Sequence, residues 1–136
     1  MTDTPPLHSG VREFMARRGI AVTTLRNDGR LSLTIDEKYR VHLRPASDGR
    51  LALQAKVADF PDAANNRAAD EAIEHLLNRS AGMLRKYAST LCLEPHSQTV
   101  RLQQLLAANT SGEQLEAEIA EFTNALDYWV RTSKSL

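Results

Sequence analysis

Asp28-Gly29-Arg30-Leu31-Ser32-Leu33-Thr34-Ile35-Asp36-Glu37-Lys38-Tyr39-Arg40-Val41-His42-Leu43-Arg44 decides how this chain folds. Leu31, Leu33 and Ile35 alternate with Ser32 and Thr34; Tyr39, Val41 and Leu43 alternate with Arg40, His42 and Arg44. Successive side chains of a strand point to opposite faces, so each run builds one apolar and one polar side. The interval Asp36-Glu37-Lys38 leaves room only for a tight turn, which predicts an antiparallel hairpin. After Pro45 and the turn Ala46-Ser47-Asp48-Gly49, a third run follows, with Leu51, Leu53, Ala55 and Val57 alternating up to Phe60-Pro61. Short loops between three such runs predict a meander with one apolar face.

Helical spacing takes over on either side. Before the meander, Leu7, Val11, Phe14 and Met15 form one stripe after Thr4-Pro5, a cap residue with proline at the first helical position. Gly19 closes this helix, and Ile20 to Leu25 reads as an extended arm into the turn Asn27-Asp28-Gly29. From Asp62 to Ala88 the stripe is Ala69, Ala72, Ile73, Leu76, Leu77, Met83, Leu84 and Tyr87, with Gly82 interrupting it. Leu91 and Leu93 open a fourth strand, Glu94 to Ser97 turns, and Val100 and Leu102 lead a fifth. Thr110-Ser111-Gly112-Glu113 predicts a capping box, with Thr110 as the cap. The last helix carries Leu115, Ile119, Phe122, Leu126 and Trp129 or Val130.

The predicted fold is therefore α+β, a single domain over 1–136 with an antiparallel sheet of about five strands and three helices, in the order α-βββ-α-ββ-α. With 17 basic and 17 acidic residues in 136, the formal charge is zero. That balance gives no electrostatic case for nucleic acid or an anionic membrane as the main partner, although the first half is slightly basic and the second slightly acidic. The single cysteine, Cys92, excludes an intrachain disulfide and a Cys-based zinc site, which fits a reducing, cytoplasmic compartment. No apolar run approaches the roughly 20 residues of a membrane span.

Few residues are spaced for chemistry. Phosphate-loop, GxSxG and HExxH signatures are all missing. Asp70, Glu71, Glu74 and His75 have spacings that can converge on one helix face, but a solvated face opposite the Leu76 stripe explains them better. His8, His42 and His96 fall in a tail, a strand and a turn. Cys92 alternates away from Leu91 and Leu93 with no partner placed by sequence, so a small structural cysteine is the plainer reading. Arg30, Arg40, His42, Arg44, Arg50 and Lys56 form a basic strand face, the one feature that favours a nucleic-acid-binding or regulatory module. Only Tyr39 is aromatic among these strands, so plain solvation explains that face better.

The order of elements, with Asp28 to Asp36, Val41-His42-Leu43, Leu51-Ala52-Leu53-Gln54-Ala55 leading to Phe60-Pro61, Leu76-Leu77-Asn78, and the closing helix from Phe122 to Trp129, resembles the class I type III secretion chaperones, the family of the Tir chaperone. The resemblance covers roughly residues 10 to 132. Many members are acidic where this chain is neutral, and its second helix reads as longer. The resemblance implies a bacterial, cytoplasmic, non-enzymatic homodimer that needs no cofactor or metal. Each dimer would bind the N-terminal segment of a secreted effector in extended form, with the secretion-system ATPase as a further partner. On that footing, Val11, Phe14, Met15, Leu31, Leu33, Val41 and Leu43 are the expected effector-binding residues. Ile73, Leu76, Leu77, Met83, Leu84, Leu91 and Leu93 are the expected dimer interface. The competing reading is the basic strand face as a nucleic-acid or regulatory surface, and a small enzyme around His75 is weaker still.

Overall fold

In a computed structural model that describes residues 8–20, 29–60, 67–83, 86–94 and 96–135, the chain runs α1 (Ser9–Arg18), β1 (Leu31–Ile35), β2 (Tyr39–Pro45), β3 (Leu51–Asp59), α2 (Arg67–Gly82), β4 (Thr90–Glu94), β5 (Thr99–Leu106) and α3 (Gly112–Lys134). The five strands form one antiparallel sheet in the order β1-β2-β3-β5-β4. The first hairpin pairs Leu31 with Leu43 and Ile35 with Tyr39, the register the alternation demands. Asp36 and Glu37 both adopt positive φ, the backbone that a tight hairpin turn requires.

One face of the sheet is covered. Val41, Leu43, Leu53, Ala55, Val100 and Leu102 point from it into the core and meet Leu115, Phe122, Leu126 and Trp129 of α3 together with Phe14 and Met15 of α1. Helix α3 lies against β3 and α1 lies against α3, while α2 packs on β4 at the far edge. Polar groups lock these contacts. The Ser80 hydroxyl of α2 accepts from the Leu91 N–H of β4 at 3.0 Å. At the other end, the Glu13 carboxylate accepts from Gly112 N–H at 2.7 Å, an acid placed on the N-terminus of α3.

Two glycines are required where α1 meets the start of α3. A Cβ on Gly10 would lie 2.1 Å from the Thr110 carbonyl oxygen, and one on Gly112 would lie 2.6 Å from the Glu13 Cβ. Gly10→Ala is accordingly expected to cost about 1–3 kcal/mol, as overpacking against backbone does. Gly82→Ala, where a Cβ meets nothing within 4 Å, should not destabilise. Paired urea melts check the contrast.

Three sequence expectations are corrected. Helix α1 is capped by His8, not by Thr4: His8 has ψ 130, its ring accepts from Gly10 N–H, and the ring also meets the Ala107 carbonyl at 3.1 Å. Helix α2 ends at Gly82 and does not run on to Ala88. Glycine disfavours helix continuation by about 1 kcal/mol, and beyond it Tyr87 turns to pack on Tyr128 of α3, their ring centroids 5.9 Å apart. The capping box of α3 sits one residue later than expected, with Ser111 as cap and Gln114 reaching back, because Ser111 is the residue with extended backbone. Thr4-Pro5, the arm beyond Ile20, Asn27-Asp28, the start of α2 at Asp62 and Leu84 lie outside the described residues.

Candidate binding surfaces

The expected effector-binding residues come together, but mostly inward. Val11, Phe14, Met15, Leu31, Val41 and Leu43 are each 4% exposed or less and belong to the chain's own core. Their stripe faces the sheet and α3, so it opens no groove to solvent. Leu33 alone of the seven keeps exposed surface, beside Ile35 on β1. Strand β1 is an edge: among the described residues it pairs only with β2. Its outer backbone groups therefore stand ready for another strand.

The expected dimer residues divide in the same way. Ile73, Leu76 and Leu91 are buried where α2 meets β4, whereas Leu77, Met83 and Leu93 are only partly covered. Asp70, Glu71, Glu74 and His75 are all exposed on α2, with Glu71 paired to Arg67 at 3.1 Å.

The second face of the sheet is open and polar. Arg30, His42, Arg44, Gln54, Glu94 and Arg101 line a depression of about 400 Å3. Arg50 does not belong to it, since its guanidinium folds back onto the Ser47 carbonyl and hydroxyl in the turn before β3. Cys92 is exposed on this face, and desolvation of its sulfur pushes the thiol pKa up. A raised pKa leaves no activated thiolate.

Alternation could not show that the sheet splits. Strands β2 and β3 pair only from Pro45↔Leu51 to His42↔Gln54, while β3 stays on β5 as far as Asp59 through a bulge at Val57. A bulge adds local twist, which carries β3 away from β2. The start of β2 is held instead by α3: Tyr39 donates from its hydroxyl to Asp127, which also takes Arg131 at 3.0 Å. Between the diverging strands lies a slot of about 480 Å3. Lys38, Arg40, Lys56, Arg101 and Lys134 stand around it.

Two carboxylates beside the slot are held below their usual value of 3.8, Asp127 chiefly by the Tyr39 hydroxyl and Asp59 chiefly by Lys56 and then Thr99. A lowered folded pKa means that the ionised acid is favoured by folding. That contribution is complete above the unfolded value and is lost as pH falls through the folded one. Thermal stability should thus hold from about pH 7 down to about pH 5 and drop below about pH 4, with a shallower drop in Asp59→Asn and Asp127→Asn. Melts followed by circular dichroism across that range test this.

Residues 10–130 match the family model of the Tir chaperone protein (CesT) family. The chain belongs to that family. Among solved structures, this Tir chaperone family member is similar to the ExsC–ExsE complex, with 26% identity, a TM-score of 0.68, and coverage of 93% of this chain and 96% of the other. It also shares its fold with the HopA1–SchA chaperone–effector complex, at 18% identity and a TM-score of 0.67 over 87% and 88% of the two chains. A third likeness in fold is to the Yersinia pestis type III secretion chaperone SycH bound to a fragment of YscM2, at 20% identity and a TM-score of 0.61 over 90% and 98%. No curated protein sequence matches the chain. No helix among the described residues is long and apolar enough to cross a membrane.

Proposed function

We infer that this family member is a type III secretion chaperone that binds the N-terminal segment of a secreted effector in extended form and keeps it soluble and fit for secretion. Membership in the Tir chaperone protein family carries the reading, and the similar ExsC–ExsE structure, itself a two-protein complex, supports it. The edge of β1 is the docking line. An effector strand added there satisfies its own backbone groups on β1 and rests an apolar side chain against Leu33. Val11, Phe14, Met15, Leu31, Val41 and Leu43 support that line from beneath as core.

The chaperone works as a homodimer in the bacterial cytoplasm. Leu77, Met83 and Leu93 supply the apolar contact, with Ile73, Leu76 and Leu91 beside them, because partly covered apolar side chains on neighbouring elements gain most from a second copy. It performs no catalysis and consumes no ATP, and binding alone protects the effector. The loaded complex is handed to the secretion-system ATPase.

Co-expression with the product of the neighbouring reading frame, followed by pull-down, tests the function. Capture of a soluble complex is expected, and Leu33→Asp should abolish or weaken it severely while lowering the melt of the chaperone only part-way and keeping a native spectrum, since Leu33 is only partly buried against the core. Undiminished capture by a folded Leu33→Asp would remove the β1 edge from the account. No capture by the wild-type protein would count against the function itself.

A further inference from the structure

We propose that the slot between β2 and β3 binds an acidic, extended polypeptide segment. Three independent features of the slot point to that occupant.

The first is charge. Lys56 and Arg101 face each other directly across β3 and β5, and like charges in that position repel. Asp59 and Glu94 take one contact each, at 2.9 Å and 2.7 Å. The side chains of Arg40 and Lys134, also on the slot, form no ion pair or hydrogen bond among the described residues. Among the described residues no acidic side chain lines the cavity, and the neighbouring Asp59, Glu94 and Asp127 are taken up by Lys56, by Arg101 and by Tyr39, Lys38 and Arg131, so Arg40 and Lys134 leave a field there that favours carboxylates.

The second is backbone. The ladder between β2 and β3 stops at His42↔Gln54, so the slot-facing groups of the residues beyond it make no ladder bonds to the opposite strand. An extended chain offers the matching donors and acceptors.

The third is the floor. Val57, Leu126 and Val130 line the bottom, which suits apolar side chains alternating with acids along a strand. A nucleic acid fits less well. Base stacking needs an open aromatic face; among the described lining residues the Tyr39 ring is covered by the Lys38 ammonium at 5.0 Å from its centroid and tied by its hydroxyl to Asp127, and the His42 ring is held by the Ser32 hydroxyl at 2.7 Å.

The identity of the segment's owner, an effector, rests on the chaperone reading; the peptide chemistry of the slot does not. The isotope-labelled protein is titrated by NMR with a short peptide alternating Asp and Val, then with a Lys/Val peptide and with oligothymidylate. Shifts from the Asp/Val peptide are expected at the amides of Arg40, Lys56, Val57 and Val130, with no comparable response to the Lys/Val peptide. The double variant Arg40→Glu/Lys134→Glu, with a native spectrum, should bind the acidic peptide about tenfold more weakly or worse. Shifts elsewhere or none, or unchanged binding by the folded variant, would overturn the proposal. Stronger perturbation of the same amides by oligothymidylate would overturn it in favour of a nucleic acid. Capture of the effector by wild-type protein without peptide shifts sinks the slot alone, whereas peptide shifts without any effector capture sink the chaperone reading alone.

Discussion

Phe14→Asp is expected to unfold the domain. Phe14 is 4% exposed on the inner stripe of α1, where it joins Met15 and the α3 side chains in one apolar cluster. Replacing it removes a contact worth about 3–5 kcal/mol and puts a carboxyl group where water cannot reach. An ionised carboxylate in such a place costs several kcal/mol more unless it takes up a proton or finds a cation. The Arg18 guanidinium lies 5.9 Å from the ring centroid and is already held by Glu116 at 3.1 Å. Since a domain of this kind has only about 5–15 kcal/mol in total, the variant should be insoluble or lack a cooperative melt. Phe14→Leu, a change of shape without a charge, should stay folded at a cost of roughly 1.5 kcal/mol or less. A folded, soluble Phe14→Asp that has lost only effector capture would instead show that α1 opens to a partner.

Trp129→Ala should have an effect of similar size by a different route. Trp129 is 1% exposed near the end of α3 and packs edge-on to Tyr128, with centroids 4.9 Å apart. Its removal leaves a cavity that the surrounding strands cannot fill, at about 3–5 kcal/mol. For a domain of this size the midpoint should fall by roughly 10–20 °C. The indole N–H is buried without a hydrogen-bond partner among the described residues, so Trp129→Phe deletes an unsatisfied donor along with the volume and should cost clearly less than the alanine change. Trp129 is the chain's one tryptophan, so its fluorescence vanishes in both variants and circular dichroism has to follow the melts. Equal losses in the two variants would show that the orphaned N–H is not a burden.

Much of the fold was legible because it depends on period alone. Alternation in Leu31 to Ile35, Tyr39 to Leu43 and Leu51 to Val57 assigned each strand its inner face, and the three-residue gap at Asp36 gave the first register. The stripe from Leu115 to Trp129 did the same for α3. Gly19 ends α1 as read, in the left-handed conformation that glycine adopts without cost. The family resemblance, built on those patterns in order, agrees with the match over residues 10–130.

The rest depended on which face meets which neighbour. An apolar stripe reads the same whether it lines a core or a binding groove, because burial is a property of the assembled chain. Only packing against the sheet and α3 turned Val11, Phe14 and Met15 inward and left Leu33 with exposed surface on an open edge. Gln104, polar by sequence, occupies a core-facing position of β5 because Glu118 of α3 accepts its amide N–H. His8 became a helix cap only once the Ala107 carbonyl lay beside it. The slot has no sequence signal at all, since local alternation continues on both strands while their pairing ends. What opens it is the combination of a bulge at Val57 and the hold of Asp127 on Tyr39, two effects that meet only in three dimensions.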